Sequence, residues 1–101
     1  MKTTIKATKM ELTDAIRANI DEKFGSLNKY FDQILEADIE VGITSNHHQK
    51  GQIFFAEVNL SVPGKLIRAR QEKDDLYVAI NEVKTILKRE LQDYKEKLRG
   101  K

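Results

Sequence analysis

Leu76, Ile80, Val83, Leu87, Leu91, Tyr94 and Leu98 recur at intervals of three and four near the end of the chain. That spacing places them in one stripe along a helix of roughly six turns at 3.6 residues per turn. A stripe this long must leave water, so the rest of the fold has to supply an apolar surface of matching length. With 101 residues in total, one domain spanning 1–101 with one core is expected.

The remaining periodicity predicts that surface. "TTIKAT" (3–8) alternates, with Ile5 and Ala7 on one side, as a strand does. From Leu12 the period lengthens: Leu12, Ile16, Ile20, Phe24, Leu27 and Phe31 lie on one face of a helix, with Thr13 placed to cap its start. Gly25 lies inside this pattern, where it costs about 1 kcal/mol relative to Ala and admits a close neighbouring backbone. "ADIEVGITS" (37–45) alternates again, with Ile39, Val41 and Ile43 on one side. "QIFFAEVNLSV" (52–62) is the strongest strand, with Phe54, Ala56, Val58, Leu60 and Val62 on one face. "VPGK" fits a type II turn, Pro63 second and Gly64 third. "KLIRARQE" (65–72) returns as a fourth strand, whose inward set is either Ile67 with Ala69 or Leu66 with arginine stems. The order is β-α-β-β-β-α. The simplest packing lays both helices on one face of a four-stranded sheet, a two-layer α+β domain.

Charge is distributed unevenly. Residues 1–60 carry 7 basic and 9 acidic side chains, residues 61–101 carry 11 and 7. The C-terminal part is therefore the better candidate for an anionic partner. Asp74 and Asp75 open the last helix, where a carboxylate caps free N–H groups and meets the positive end of the helix dipole. They also occupy the place a phosphate would take. Binding of nucleic acid would then use the side of the helix. Counting about 100° per residue from Lys84, Lys95 falls near 20°, Lys88 near 40° and Arg99 near 60°, along one flank of the apolar stripe. Such a flank suits a run of phosphates, but from charge pattern alone a solvated face is the commoner explanation. Arg17, Lys23 and Lys29, earlier in the chain, do not share one stripe.

Little else points to chemistry. There is no cysteine, no glycine-rich phosphate loop, no H-E-x-x-H and no nucleophile elbow. His47 and His48 adjoin in an expected loop without further ligands nearby, so a polar turn is expected there and no metal or cofactor. Asp38 and Glu40 are a carboxylate pair on a strand, a pattern that a solvent-facing strand gives far more often than an acid–base site does. Phe24, Phe31, Phe54 and Tyr94 fit core positions. Tyr30 and Tyr77 are the aromatics best placed to reach the surface, with no aromatic platform for stacking bases. No enzyme activity is expected. No run approaches the ~20 apolar residues of a membrane span, and the N-terminus lacks the apolar core of a signal peptide. The cytoplasm is the expected location.

Two segments carry a resemblance. "ELTDAIRANIDEKFGSLNKYFDQI" is similar to the first helix of the ribosome hibernation promoting factor family, also called ribosome-associated inhibitors or sigma-54 modulation proteins. Its T-[DE]-A-[IL]-R start and L-x-K-Y-F-D end carry the likeness. "VPGKLIRARQEKDDLYVAINEV" resembles the family's second signature, a strand followed by D-[LM]-Y-x-A-I-[DN] and a long basic helix. The resemblance covers nearly the whole chain. It implies a factor that binds the small ribosomal subunit over the decoding centre, covers mRNA and tRNA positions, and idles ribosomes under stress or in stationary phase. It further implies contact with 16S-type ribosomal RNA through Arg17 and Lys23 of the first helix and Arg89 and Lys95 of the second. Lys29, Lys84, Lys88 and Arg99 join that set by their placement on the helices. Ser26 and Ile86 stand where relatives often carry lysine. The chain's length implies the short form, without a second dimerisation domain, monomeric off the ribosome and acting beside a second small factor.

Two rival readings remain. A double-stranded RNA-binding module has a similar element order but grips phosphate with lysines at the start of its last helix, where this chain has "DDLY". A protein-interaction module with no RNA role predicts binding that is insensitive to salt.

Overall fold

The computed structural model describes residues 1–44 and 51–100. Strands β1 (Lys2–Thr8), β2 (Glu36–Ile43), β3 (Phe54–Val62) and β4 (Lys65–Lys73) form one sheet in sequential order. Helix α1 (Asp14–Gly25) connects β1 to β2, and α2 (Leu76–Arg99) follows β4. β1 runs parallel to β2, as a strand–helix–strand crossover requires, while β2–β3 and β3–β4 are antiparallel. The element order is the one the periodicity predicts. His47 and His48 lie outside the described residues.

Register explains the two layers. Ile5, Ile39, Val58 and Ala69 are aligned across the four strands, and Ala37, Leu60 and Ile67 form a neighbouring row. These side chains point to one face and pack with Ile16, Ile20 and Phe24 of α1 and with Leu76, Ala79, Ile80, Val83, Leu87 and Leu91 of α2. A fully buried aliphatic side chain contributes roughly 1.5–3 kcal/mol, so this shared core is the main source of stability. β4 resolves its ambiguity in favour of Ile67 and Ala69; Leu66 is exposed.

Three expectations are corrected. The apolar stripe of the first helix does not run unbroken to Phe31. The α-helix stops at Gly25 and tightens into a 3₁₀ turn, Ser26–Lys29, which swings Leu27 and Phe31 under α2. Nothing lies within 4 Å of where a Cβ at Gly25 would sit, so that glycine admits no close neighbour. Leu98 is exposed and does not extend the buried stripe, which ends at Leu91 with Tyr94 half-buried beyond it.

Both helix starts are capped by side chains. The Thr13 hydroxyl accepts from the Ile16 N–H at 3.2 Å. The Asp75 carboxylate accepts from the Tyr77 N–H at 2.9 Å and the Val78 N–H at 3.4 Å. Of the two aspartates expected to cap α2, Asp75 does so and Asp74 stands outside the cap. Between β3 and β4, Gly64 takes φ +81°, the positive value that the turn after Pro63 demands.

The outer face of the sheet is polar. Lys6, Glu40, Glu57 and Arg70 face one another across it, next to a row of Thr4, Asp38, Asn59 and Arg68. Glu57 takes ion pairs from Arg68 at 3.2 Å and Arg70 at 2.8 Å, and Arg70 also reaches Glu72 at 3.0 Å. The Arg70 guanidinium roofs the buried Phe55 ring, 4.3 Å from its centroid. Gly42 makes room for that ring: a Cβ there would lie 2.9 Å from Phe55 Cε1 and run into the Thr8 carbonyl oxygen. Partial burial pushes the Glu57 carboxyl up, but the Arg70 hydrogen bond and the charges of Arg68 and Arg70 outweigh it and hold Glu57 below the ordinary glutamate range.

Two predictions follow from these contacts. Asp75→Ala removes the cap and is expected to cost about 1 kcal/mol, lowering Tm by about 4–8 °C, read by circular dichroism; Asp74→Ala is expected to change Tm far less. Glu57 has a lowered folded-state pKa, so its contribution is complete above the ordinary range and lost as pH falls through the lowered value. The stability advantage of wild type over Glu57→Gln is therefore expected to shrink between about pH 6 and about pH 3, measured by urea unfolding.

Candidate nucleic-acid interface

Burial of the Leu76–Leu91 stripe fixes the rotation of α2 about its axis. The flank beside it then carries Lys84, Lys88, Lys95 and Arg99 outward along the helix. Lys84 and Lys88 are half-buried; Lys95 and Arg99 are exposed. Lysine can lay its methylenes on apolar surface while its ammonium stays in water, which suits the first two positions. Arg89 is exposed but lies roughly 100° round the helix from Lys88, on a separate face.

The 3₁₀ turn brings a further cation to this flank. Lys29, its last residue, joins Tyr30, Gln92, Lys95, Glu96 and Arg99 around an open groove of ≈ 430 Å³. The Lys88 Nζ sits 5.1 Å from the centre of the Tyr30 ring, within the range of a cation–π contact. Three cations therefore converge with one acid, Glu96, where the end of α2 passes the 3₁₀ turn. A groove of this composition can receive phosphate oxygens through hydrogen bonds from two ammonium groups and a guanidinium.

Of the eight basic residues singled out in the sequence, Lys29, Lys95 and Arg99 line the groove and Lys88 adjoins it through Tyr30. Lys84 continues the same flank toward the start of α2. Arg17 is exposed in the first turn of α1, and Lys23 is half-buried in its last turn, where its carbonyl accepts from the Ser26 hydroxyl at 2.9 Å. Arg17, Lys23 and Arg89 do not line the groove. Ile86 is half-buried against the core.

The ion pairs among the described residues are Arg68–Glu57, Arg70–Glu57, Arg70–Glu72 and Lys73–Glu82. None involves any of those eight cations. The sheet face thus neutralises its own charge, while the helix side leaves its cations available.

The groove contains residues that helical spacing alone does not single out. Gln92 and Glu96 enter it because the 3₁₀ turn passes the end of α2, a tertiary juxtaposition without a local signal. Tyr94, read as core, is half-buried: its ring meets Phe31 edge-on with centroids 5.4 Å apart, Lys65 lies 5.7 Å from its centre, and its hydroxyl donates to the Pro63 carbonyl. Asp38 and Glu40 sit on the outer face of the sheet around a shallow pocket of ≈ 200 Å³ shared with Thr4, Lys6, Ile39, Glu57 and Asn59; Glu40 accepts from the Thr8 hydroxyl. Among the described residues, no group of three or more His, Asp or Glu gathers in a way that could hold a metal ion. No described helix is long and apolar enough to cross a membrane.

The model of the family described as Sigma 54 modulation protein / S30EA ribosomal protein matches residues 3–99. The chain belongs to this family. A ribosome hibernation promotion factor from Deinococcus radiodurans is 33% identical over 88 residues, covering 85% of this chain and 44% of that protein. One from Lactococcus lactis is 31% identical over 101 residues, covering 100% of this chain and 53% of that protein. The chain spans about half the length of these curated relatives. Among solved structures, the N-terminal domain of Thermus thermophilus Protein Y superposes with a TM-score of 0.80 at 28% identity, covering 93% of this chain and 99% of that domain. The two-layer fold expected from the sequence is therefore the fold of this family.

Proposed function

We propose that this chain binds the small ribosomal subunit and holds ribosomes out of translation, with the side of α2 and the 3₁₀ turn set against 16S-type ribosomal RNA. The observation that carries this reading is the cationic flank of Lys84, Lys88, Lys95, Arg99 and Lys29, free of intramolecular ion pairs among the described residues, in a chain of a family whose members include ribosome hibernation promotion factors. Arg17, Lys23 and Arg89 are proposed as outlying contacts of the same surface.

The mechanism is occlusion. Phosphate contacts position a protein on folded RNA without reading its sequence. A domain held over the decoding centre would exclude mRNA and tRNA by bulk, with no bond made or broken. Dependence on a second small factor, and action under stress or in stationary phase, belong to the same proposal. The double-stranded RNA-binding alternative loses ground because the Asp75 carboxylate occupies the N–H groups at the start of α2 where that module would present lysines.

Co-sedimentation with bacterial ribosomes tests the reading. The protein is expected to pellet with vacant ribosomes and to be excluded when mRNA and tRNA are already bound. Retention in the supernatant at low salt would overturn it in favour of a protein-interaction module. Replacing Lys84, Lys88 and Lys95 together by Glu is expected to abolish pelleting while the circular dichroism spectrum is kept. In wild type, log K is expected to fall with log salt by about 0.7–0.9 per phosphate contact, or about 3–5 in all for four to six contacts.

A further inference from the structure

Tyr77 stands apart from the other two tyrosines. Tyr94 spends its ring on Phe31 and Lys65 and its hydroxyl on Pro63. Tyr30 spends its ring on Lys88. Among the described residues, Tyr77 has neither an aromatic or cationic ring partner nor a side-chain hydrogen bond, and it is 45% exposed. Its position on α2 is specific. At about 100° per residue it falls near 20° from Lys84, within the arc that holds Lys88, Lys95 and Arg99 and about 10 Å further toward the start of the helix. One stripe thus begins with an unoccupied aromatic ring and continues as cations.

The chemistry changes at that ring. Asp75 consumes the Tyr77 and Val78 N–H groups, and Asp74 adds a second carboxylate beside it. Phosphate is therefore repelled from the end of the stripe where Tyr77 lies. A nucleotide brought there by phosphates on Lys84 and Lys88 would present its base to the helix and keep its phosphate away. Unpaired bases in folded RNA are held by stacking on aromatic side chains, and the face of a tyrosine suits any of the four.

We infer that Tyr77 is a base-stacking residue that receives one unpaired nucleotide of the ribosomal RNA at the acidic end of the α2 stripe. This rests on the proposed binding to the small subunit. It adds a contact that the cations cannot make, one that is insensitive to salt.

The test uses purified small ribosomal subunits and the whole chain, with affinity measured across a salt series for wild type, Tyr77→Phe, Tyr77→Leu, Tyr77→Ala and Lys95→Glu. Tyr77→Ala and Tyr77→Leu are expected to weaken binding about tenfold at every salt concentration with the log–log slope unchanged. Tyr77→Phe keeps the ring and is expected to bind as wild type. Lys95→Glu is expected to reduce the slope by about one. Probing with dimethyl sulfate and a carbodiimide, which together read all four bases, at saturating protein is expected to show one unpaired nucleotide protected by wild type and Tyr77→Phe but reactive with Tyr77→Ala. Wild-type affinity in Tyr77→Ala overturns the inference and leaves the cationic interface standing. Full rescue by Tyr77→Leu, or a loss of affinity without a change in nucleotide reactivity, overturns it in favour of an apolar contact with a ribosomal protein. A wild-type chain that does not bind the subunit removes both.

Discussion

The rest of the structure depends on burial of the α2 stripe against the inner face of β3 and β4. Leu76, Ile80, Val83, Leu87 and Leu91 must leave water together, and Val58, Leu60, Ile67 and Ala69 supply the surface that takes them. Once this contact forms, the helix has no rotational freedom. The flank bearing Lys84, Lys88, Lys95 and Arg99 is then fixed relative to the core, and so is the end of α2 against which the 3₁₀ turn packs. Placement of the cations is therefore a by-product of hydrophobic packing.

The same packing divides the molecule electrostatically. The inner face of the sheet is covered by helices, and the outer face is left to water. Arginines on that outer face are met by Glu57 and Glu72. Exposed pairs of this kind add little stability, but they cancel charge locally. On the helix side the cations face the groove and the solvent. A polyanion approaching the domain meets attraction on one side and near-neutrality on the other, although the whole chain carries a net charge of only +2.

Much of the fold was legible in the sequence because periodicity reports directly on which side chains leave water. The alternation in β3, the spacing in α2, the Thr13 cap and the Pro63–Gly64 turn each have a local physical cause. Where the cause is tertiary, the pattern misleads or falls silent. Leu27 and Phe31 continue the helical spacing of α1, yet they reach the core through a 3₁₀ turn after Gly25. Leu66 and Ile67 are equally apolar, and only the register with β3 decides which one faces the helices. Phe55 falls on the polar side of its strand and is buried by a guanidinium, a roof that periodicity does not encode. The flank on α2 follows from helical geometry alone. The groove around Lys29, Gln92 and Arg99 requires knowing which turn meets which end of the helix.

The Asp75 cap has a consequence beyond stability. It makes the long helix electrically asymmetric in side chains as well as backbone: acids at the start, lysines through the middle, Arg99 in the last turn. An object polarised along its length does not bind equally well when turned end for end. A negatively charged cleft would accept this domain in one heading and resist the reverse, because the reversed helix would put two carboxylates where the last arginine belongs. The carboxylate that starts the helix, with Asp74 beside it, thus also gives the domain a bow and a stern.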